Sequence, residues 1–235
     1  RIEARPVGGG QNRVISFPEP VYSAWLGGNP MYDSQTFRYT YTSLNRPTTL
    51  YEYNLADGSS TKLKEQEVPS GFDPDDYEVH RLWATAPDGV KVPMAVVYKK
   101  GLKRDGSAPA LIYSYGSYGV SSDVYFSASY YSLIDRGFVV AIVQIRGGSD
   151  LGEQWYEDGK LLKKKNTFTD FVACSQLLID EKYTSASKLA AMGGSAGGLL
   201  MGAVANMCPD LYQTIVAQGP FVDVVSTMLD ESLPL

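Results

Sequence analysis

Residues 188 to 207 constrain the fold of this chain more than any other stretch. Lys188–Met192 is short and apolar. Gly193-Gly194-Ser195-Ala196-Gly197-Gly198 follows, and the small and aliphatic residues of Ala196–Met207 continue until Pro209. A short apolar run bounded by glycine suits a buried strand. Alanine, leucine and methionine favour a helix, and proline ends it. A strand passing through so tight a turn into a helix belongs to an α/β layer arrangement. The turn also spells G-x-S-x-G over 193–197. In this context the pattern reads as a nucleophile elbow, with the Ser195 hydroxyl lifted clear of the sheet. Glycines at 193 and 197 let the strand and the helix approach closely. The Ala196 amide, at the helix N-terminus, faces the place where an oxyanion would form. The plain alternative is a glycine-rich turn with a capping serine, which leaves the strand-helix context unexplained.

The region around this elbow has the same rhythm. Tyr77–Ala86 and Lys91–Lys99 read as two strands joined by Pro87-Asp88-Gly89. Ala110–Tyr113, Phe138–Ile145 and Gln213–Ala217 read as further strands. A helix is expected over about 126–136, stopping at Gly137, and another from Asn166 or Thr167 to about Tyr183. Strands alternating with helices predict a mostly parallel sheet covered on both faces.

Before residue 78 the composition differs. Phe37-Arg38-Tyr39-Thr40-Tyr41-Thr42 and Thr49-Leu50-Tyr51-Glu52-Tyr53 are rich in aromatic and β-branched residues, which fit a pleated, half-buried surface. Gly27-Gly28-Asn29-Pro30, Asn45-Arg46-Pro47 and Asp57-Gly58 punctuate them as turns. No helix is expected here, and antiparallel strands of a propeller blade are. Val68–Asp76 reads as a linker. The expected division is residues 1–75, from a β-propeller, and residues 76–235, an α/β domain.

Chemistry narrows the function. The chain has 235 residues and a formal net charge of -5, a balance that argues against a nucleic-acid partner. It has no apolar run long enough to span a bilayer, and no signal peptide is visible behind Arg1. Cys174 and Cys208 form no disulfide framework and read as free thiols in a reducing compartment, which points to the cytoplasm. No His or Cys cluster has metal-ligand spacing, so neither metal nor other cofactor is expected. Arg146-Gly147-Gly148 lacks the continuation of a phosphate-binding loop. Lys163-Lys164-Lys165 reads as a solvated surface.

A serine nucleophile needs a base. The chain's one histidine is His80. It precedes Ser195, against the serine–acid–histidine order of this fold type, and reads as a strand residue. Asp223 and Asp230 follow Ser195 too closely to be the acid of a triad. The base is therefore expected outside this chain. Tyr113-Ser114-Tyr115-Gly116-Ser117-Tyr118-Gly119 is either the loop that gives a second oxyanion donor or an ordinary aromatic turn.

Several motifs in order resemble the prolyl oligopeptidase family, and within it the oligopeptidase B branch. They are Leu111–Gly119, Val143–Gly148, Trp155–Lys160 through Lys165-Asn166-Thr167-Phe168, Met192–Gly198, Pro220–Val225 and Met228–Ser232. Residues 15 to 55 resemble the closing part of that family's propeller. The resemblance implies a partial α/β-hydrolase fold preceded by antiparallel propeller segments, acting on short peptides. It implies Ser195 as nucleophile, Tyr115 as the hydroxyl of the oxyanion hole with the Ala196 amide as companion, and Asp123 as an acid of the substrate cleft. Tyr125 stands where that branch often has a second acid. Cleavage after Arg or Lys is implied, with the acids that read that side chain expected past Leu235. Two alternatives differ in class. An esterase of the same fold often carries an HGGG-type loop, where this chain has Tyr-Ser-Tyr-Gly. A non-catalytic peptide-binding relative would lack the histidine altogether.

Overall fold

The computed structural model describes residues 1–233. Strands β1 (Glu3–Ala4) and β2 (Arg13–Val14) form a short antiparallel pair. Strands β3 (Ser23–Leu26), β4 (Thr36–Ser43), β5 (Arg46–Asn54) and β6 (Ser60–Glu65) form a four-stranded antiparallel sheet in that order. Alternation turns Tyr39, Tyr41 and Tyr53 inward onto Ile2 and Ile15. Tyr39 lies opposite Tyr51 across β4 and β5, and their rings stack 5.3 Å apart. Such cross-strand aromatic pairs hold register in a small sheet.

The second sheet has six strands: β7 (Tyr77–Thr85), β8 (Lys91–Lys99), β9 (Ala110–Tyr113), β10 (Val139–Val143), β11 (Leu189–Gly194) and β12 (Thr214–Gln218). Their spatial order is β12-β11-β9-β10-β8-β7. The four strands from β12 to β10 are parallel, while β8 pairs antiparallel with both β10 and β7. The sheet is thus mixed at one end, and Gly89 at φ +84 allows the tight hairpin that joins β7 to β8.

Period-two alternation gives the sheet two apolar faces. Val92, Met94, Val96, Ile112, Val139, Ala141, Val143, Leu189 and Ala191 face one core. Helices α3 (Lys165–Asp180) and α4 (Ala196–Met207) cover it with Phe171, Cys174 and Leu178, and with Leu200, Met201 and Val204. The i, i+3, i+7 spacing on α3 is that of one helical face. Ala95, Val97, Leu111, Val140 and Ile142 face the other core, covered by Tyr131 and Ile134 of α1 (Ala128–Ile134). That helix is shorter than expected, since Phe126 lies in extended chain before it. Short helices α2 (Glu153–Glu157) and α5 (Val224–Met228) have too few turns to leave a periodic pattern.

The small sheet docks on the second core through the β4–β5 turn. Val21 and Leu44 are buried with Tyr77, Phe126 and Tyr131. Tyr131 donates its hydroxyl hydrogen to the Leu44 carbonyl at 2.7 Å, and the Phe126 amide donates to Thr42 Oγ1 at 3.0 Å. Among the described residues no helix is long and apolar enough to cross a membrane.

Candidate active site

Ser195 sits between β11 and α4 with φ 54 and ψ −117. A non-glycine residue at positive φ is strained by on the order of 1–3 kcal/mol and persists only where its surroundings fix it. Here the Ser195 amide donates to the Gln218 carbonyl at 2.9 Å, and the Ser195 carbonyl accepts from Gly198 at 2.8 Å and Phe221 at 3.1 Å. The elbow is therefore tied to the end of β12 and to the turn beyond it. Glycine is required around it for space. A β-carbon at Gly193 would stand 2.3 Å from the Gly197 carbonyl oxygen, and one at Gly198 would stand 2.5 Å from Pro220 Cα. Ala196 opens α4 and is 6% exposed. Its N–H belongs to the first turn, which has no intrahelical acceptor, so it is free to meet an anion.

The loop after β9 lies against this turn. A β-carbon at Gly197 would come 3.4 Å from Tyr115 Cα and 2.9 Å from the Ser114 carbonyl oxygen. The structure thus packs Tyr115 against Gly197, in the first turn of the helix that Ala196 opens. Tyr115 also lines a cavity of about 350 Å³ together with Ser122, Asp123, Tyr125 and Tyr130. Asp123 is therefore placed on the same cavity as Tyr115. Burial pushes the Tyr130 phenol up to about 12, with Tyr125 and Tyr113 adding to it, so this phenol stays neutral.

His80 lies elsewhere. It is on β7, separated from β11 by β8, β10 and β9, and its Nε2 meets the Tyr98 hydroxyl at 2.9 Å and Glu78 at 3.2 Å. Asp223 accepts from the Ser226 amide at 3.2 Å and caps α5, while Asp230 accepts from Ser232. Cys174 is buried and Cys208 partly so, both as free thiols.

Two supporting residues escaped sequence reasoning. Arg146, which follows β10, is 4% exposed and forks onto the buried Asp170 of α3 at 2.9 and 2.6 Å. A third contact reaches Asp88 at 2.6 Å. Burial opposes the guanidinium charge, but these carboxylates raise its pKa above the usual range. One carboxylate in the apolar face of α3 was the available signal. The second residue is Lys164, which departs from a solvated lysine run. Lys163 pairs with Asp158 at the surface, whereas Lys164 turns inward to the Gly116 carbonyl at 2.5 Å and Ser117 Oγ at 2.7 Å.

Comparison with known proteins agrees with this architecture. Residues 124–235 match the model of the prolyl oligopeptidase family, and residues 1–66 match that of the prolyl oligopeptidase N-terminal beta-propeller domain. The chain is 50% identical over 227 residues to dipeptidyl aminopeptidase BI of Pseudoxanthomonas mexicana, covering 96% of this chain and 31% of that protein. Oligopeptidase B from Leishmania major superposes with a TM-score of 0.88 at 47% identity, over 96% of this chain and 32% of that one. Oligopeptidase B from Trypanosoma brucei with covalently bound antipain, in closed form, gives a TM-score of 0.88 at 41% identity, over 95% of this chain and 32% of that one. The chain spans about a third of the length of these relatives. With a propeller blade docked on an α/β-hydrolase sheet, and with both family models matched in order, the chain belongs to the prolyl oligopeptidase family.

Proposed function

We propose that this chain carries the nucleophile side of a serine oligopeptidase that cleaves short peptides after Arg or Lys. The observation that carries the reading is the strained Ser195 backbone at the N-terminus of α4, with the Tyr115 loop packed on the same turn. Strain of this kind gathers at functional sites. Ser195 Oγ attacks the scissile carbonyl carbon while a base takes its proton. The carbonyl oxygen becomes an oxyanion, stabilised by the Ala196 N–H and the Tyr115 hydroxyl. Collapse of this intermediate breaks the C–N bond, and the base returns its proton to the leaving amine. Water then hydrolyses the acyl-serine. The base and its orienting acid are not among the residues of this chain, since its one histidine, His80, precedes Ser195.

Asp123 on the shared cavity attracts the substrate's cationic side chain. Covalent capture of antipain by the Trypanosoma brucei relative supports an attacking nucleophile in this family. In this reading residues 1–75 belong to a propeller that admits short peptides, and residues 76–235 to the catalytic domain. The free thiols Cys174 and Cys208 favour a reducing, cytoplasmic setting.

The test is hydrolysis by the full-length protein of matched chromogenic peptides ending in Arg, Lys, Pro or Leu. Turnover is expected with the basic pair and is expected to vanish in Ser195→Ala. Activity surviving that substitution would sink the nucleophile assignment. Equal rates on all four peptides would sink the specificity.

A further inference from the structure

Lys164 stands immediately before α3, and its ammonium reaches back under the loop that carries Tyr115. Nζ donates to the Gly116 carbonyl at 2.5 Å and to Ser117 Oγ at 2.7 Å. Among the described residues no carboxylate lies within ion-pair distance of it. Lys164 is half-buried, and burial holds its pKa down to about 8, so this cation sits partly desolvated without a countercharge. A methionine of similar length would satisfy packing at less cost in desolvation. Its two acceptors are the residues directly after Tyr115.

The loop itself is closely confined. Gly116 has φ +68, and a β-carbon there would stand 2.6 Å from both Ile145 Cδ1 and Thr167 Cγ2. Ser117 is 8% exposed. On its other side the loop rests on Gly197, next to the elbow. The segment is thus held between the first turn of α4 and the Lys164 ammonium.

We propose that Lys164 is a positioning residue: it fixes the 115–117 backbone from behind, so that the Tyr115 hydroxyl stays aimed at the oxyanion. This rests on the oxyanion role proposed for Tyr115. Charge-assisted hydrogen bonds suit the task, being shorter and stronger than neutral ones. An oxyanion donor displaced by a fraction of an ångström stabilises the transition state less without weakening substrate binding.

The experiment is a double-mutant cycle in the full-length enzyme, reading kcat and KM on an Arg-ended peptide. Lys164→Met is expected to lower kcat by about tenfold with KM within about twofold, as loss of transition-state contact does. In a Tyr115→Phe background the same change is expected to move kcat by less than about twofold, since the hydroxyl it aims is gone. An unchanged kcat in Tyr115→Phe alone would overturn the Tyr115 reading and this inference with it. A lowered kcat in Tyr115→Phe, combined with fully multiplicative effects in the double variant, would overturn this inference alone. Ser117→Ala, which removes one acceptor and keeps the lysine, is the second probe if Lys164→Met does not fold. Its loss of kcat is likewise expected to disappear in the Tyr115→Phe background, and its persistence there would count against the proposal.

Discussion

Gly197 packs on Tyr115 so closely that a methyl group between them would meet backbone on the far side, 2.9 Å from the Ser114 carbonyl oxygen and 3.4 Å from Tyr115 Cα. The helix bearing the Ala196 amide and the loop bearing Tyr115 are therefore set against each other by a missing side chain. Gly197→Ala adds that methyl. Helix propensity alone would favour alanine by about 1 kcal/mol. Overpacking against backbone costs about 1–3 kcal/mol and moves one element relative to the other. The expected outcome is a kcat lowered by tenfold or more with a change in unfolding midpoint of only a few degrees. Steady-state kinetics of the full-length variant, with active-site titration, checks it. Full activity would mean that the loop yields without moving Tyr115.

Tyr115→Phe keeps the ring and removes one oxyanion donor. Loss of one such donor lowers kcat by about 10²–10³-fold. KM is expected to change little, since the hydroxyl acts on charge that develops only in the transition state. A raised KM with unchanged kcat would instead make Tyr115 a substrate-binding residue of the cavity it lines.

Much of this arrangement was legible in the residues. The near-continuous apolar runs of Lys91–Lys99 and Phe138–Ile145 mark strands buried on both faces, and both form, the second as Val139–Val143. The glycines of Gly193–Gly198 announce the elbow because backbone approach there leaves no room for side chains. What stayed hidden depends on contacts between distant segments. The docking of Leu44 on Tyr131 joins positions 87 residues apart. The inward turn of Lys164 cannot be told from its exposed neighbours, because a lysine run has no periodicity that marks one member as turned inward. The Arg146–Asp170 pair is half legible: a carboxylate in the apolar face of α3 signals a buried partner, but nothing in the sequence names Arg146 as that partner.

That pair is expected to matter for folding more than for chemistry. Asp170 is fully buried and Arg146 is 4% exposed. Removing one partner of a buried pair leaves an uncompensated charge and costs about 3–5 kcal/mol. Asp170→Ala is therefore expected to shift the urea unfolding of the full-length protein by that order, or to prevent folding. Asp88→Ala removes an ion-pair partner that is 44% exposed and is expected to cost about 1 kcal/mol or less. Equal losses for the two would contradict the burial argument.

Asp150 lies against the loop that carries Ser122 and Asp123 and gives the last prediction. Its Oδ1 accepts from the Ser122 amide at 2.7 Å, next to Asp123. Its Oδ2 is buried without a hydrogen-bond partner among the described residues. Burial pushes the carboxyl up to about 6, and Asp123 adds to this, while the backbone amides of Ser122 and Asp150 oppose it. The folded pKa thus exceeds the unfolded value of 3.8. Folding favours the protonated form, so this contribution to stability is fully present below about pH 4 and is lost as pH rises through about 6. At about 1.4 kcal/mol per pKa unit, the loss is on the order of 2–3 kcal/mol. Asp150→Asn keeps an oxygen acceptor for Ser122 and cannot ionise. Relative to the parent it is expected to be near neutral at about pH 3.5 and more stable at about pH 7.5, read as urea midpoints at the two pH values. A difference between the two proteins that stays constant across this range would show that Asp150 titrates as it does in the unfolded chain.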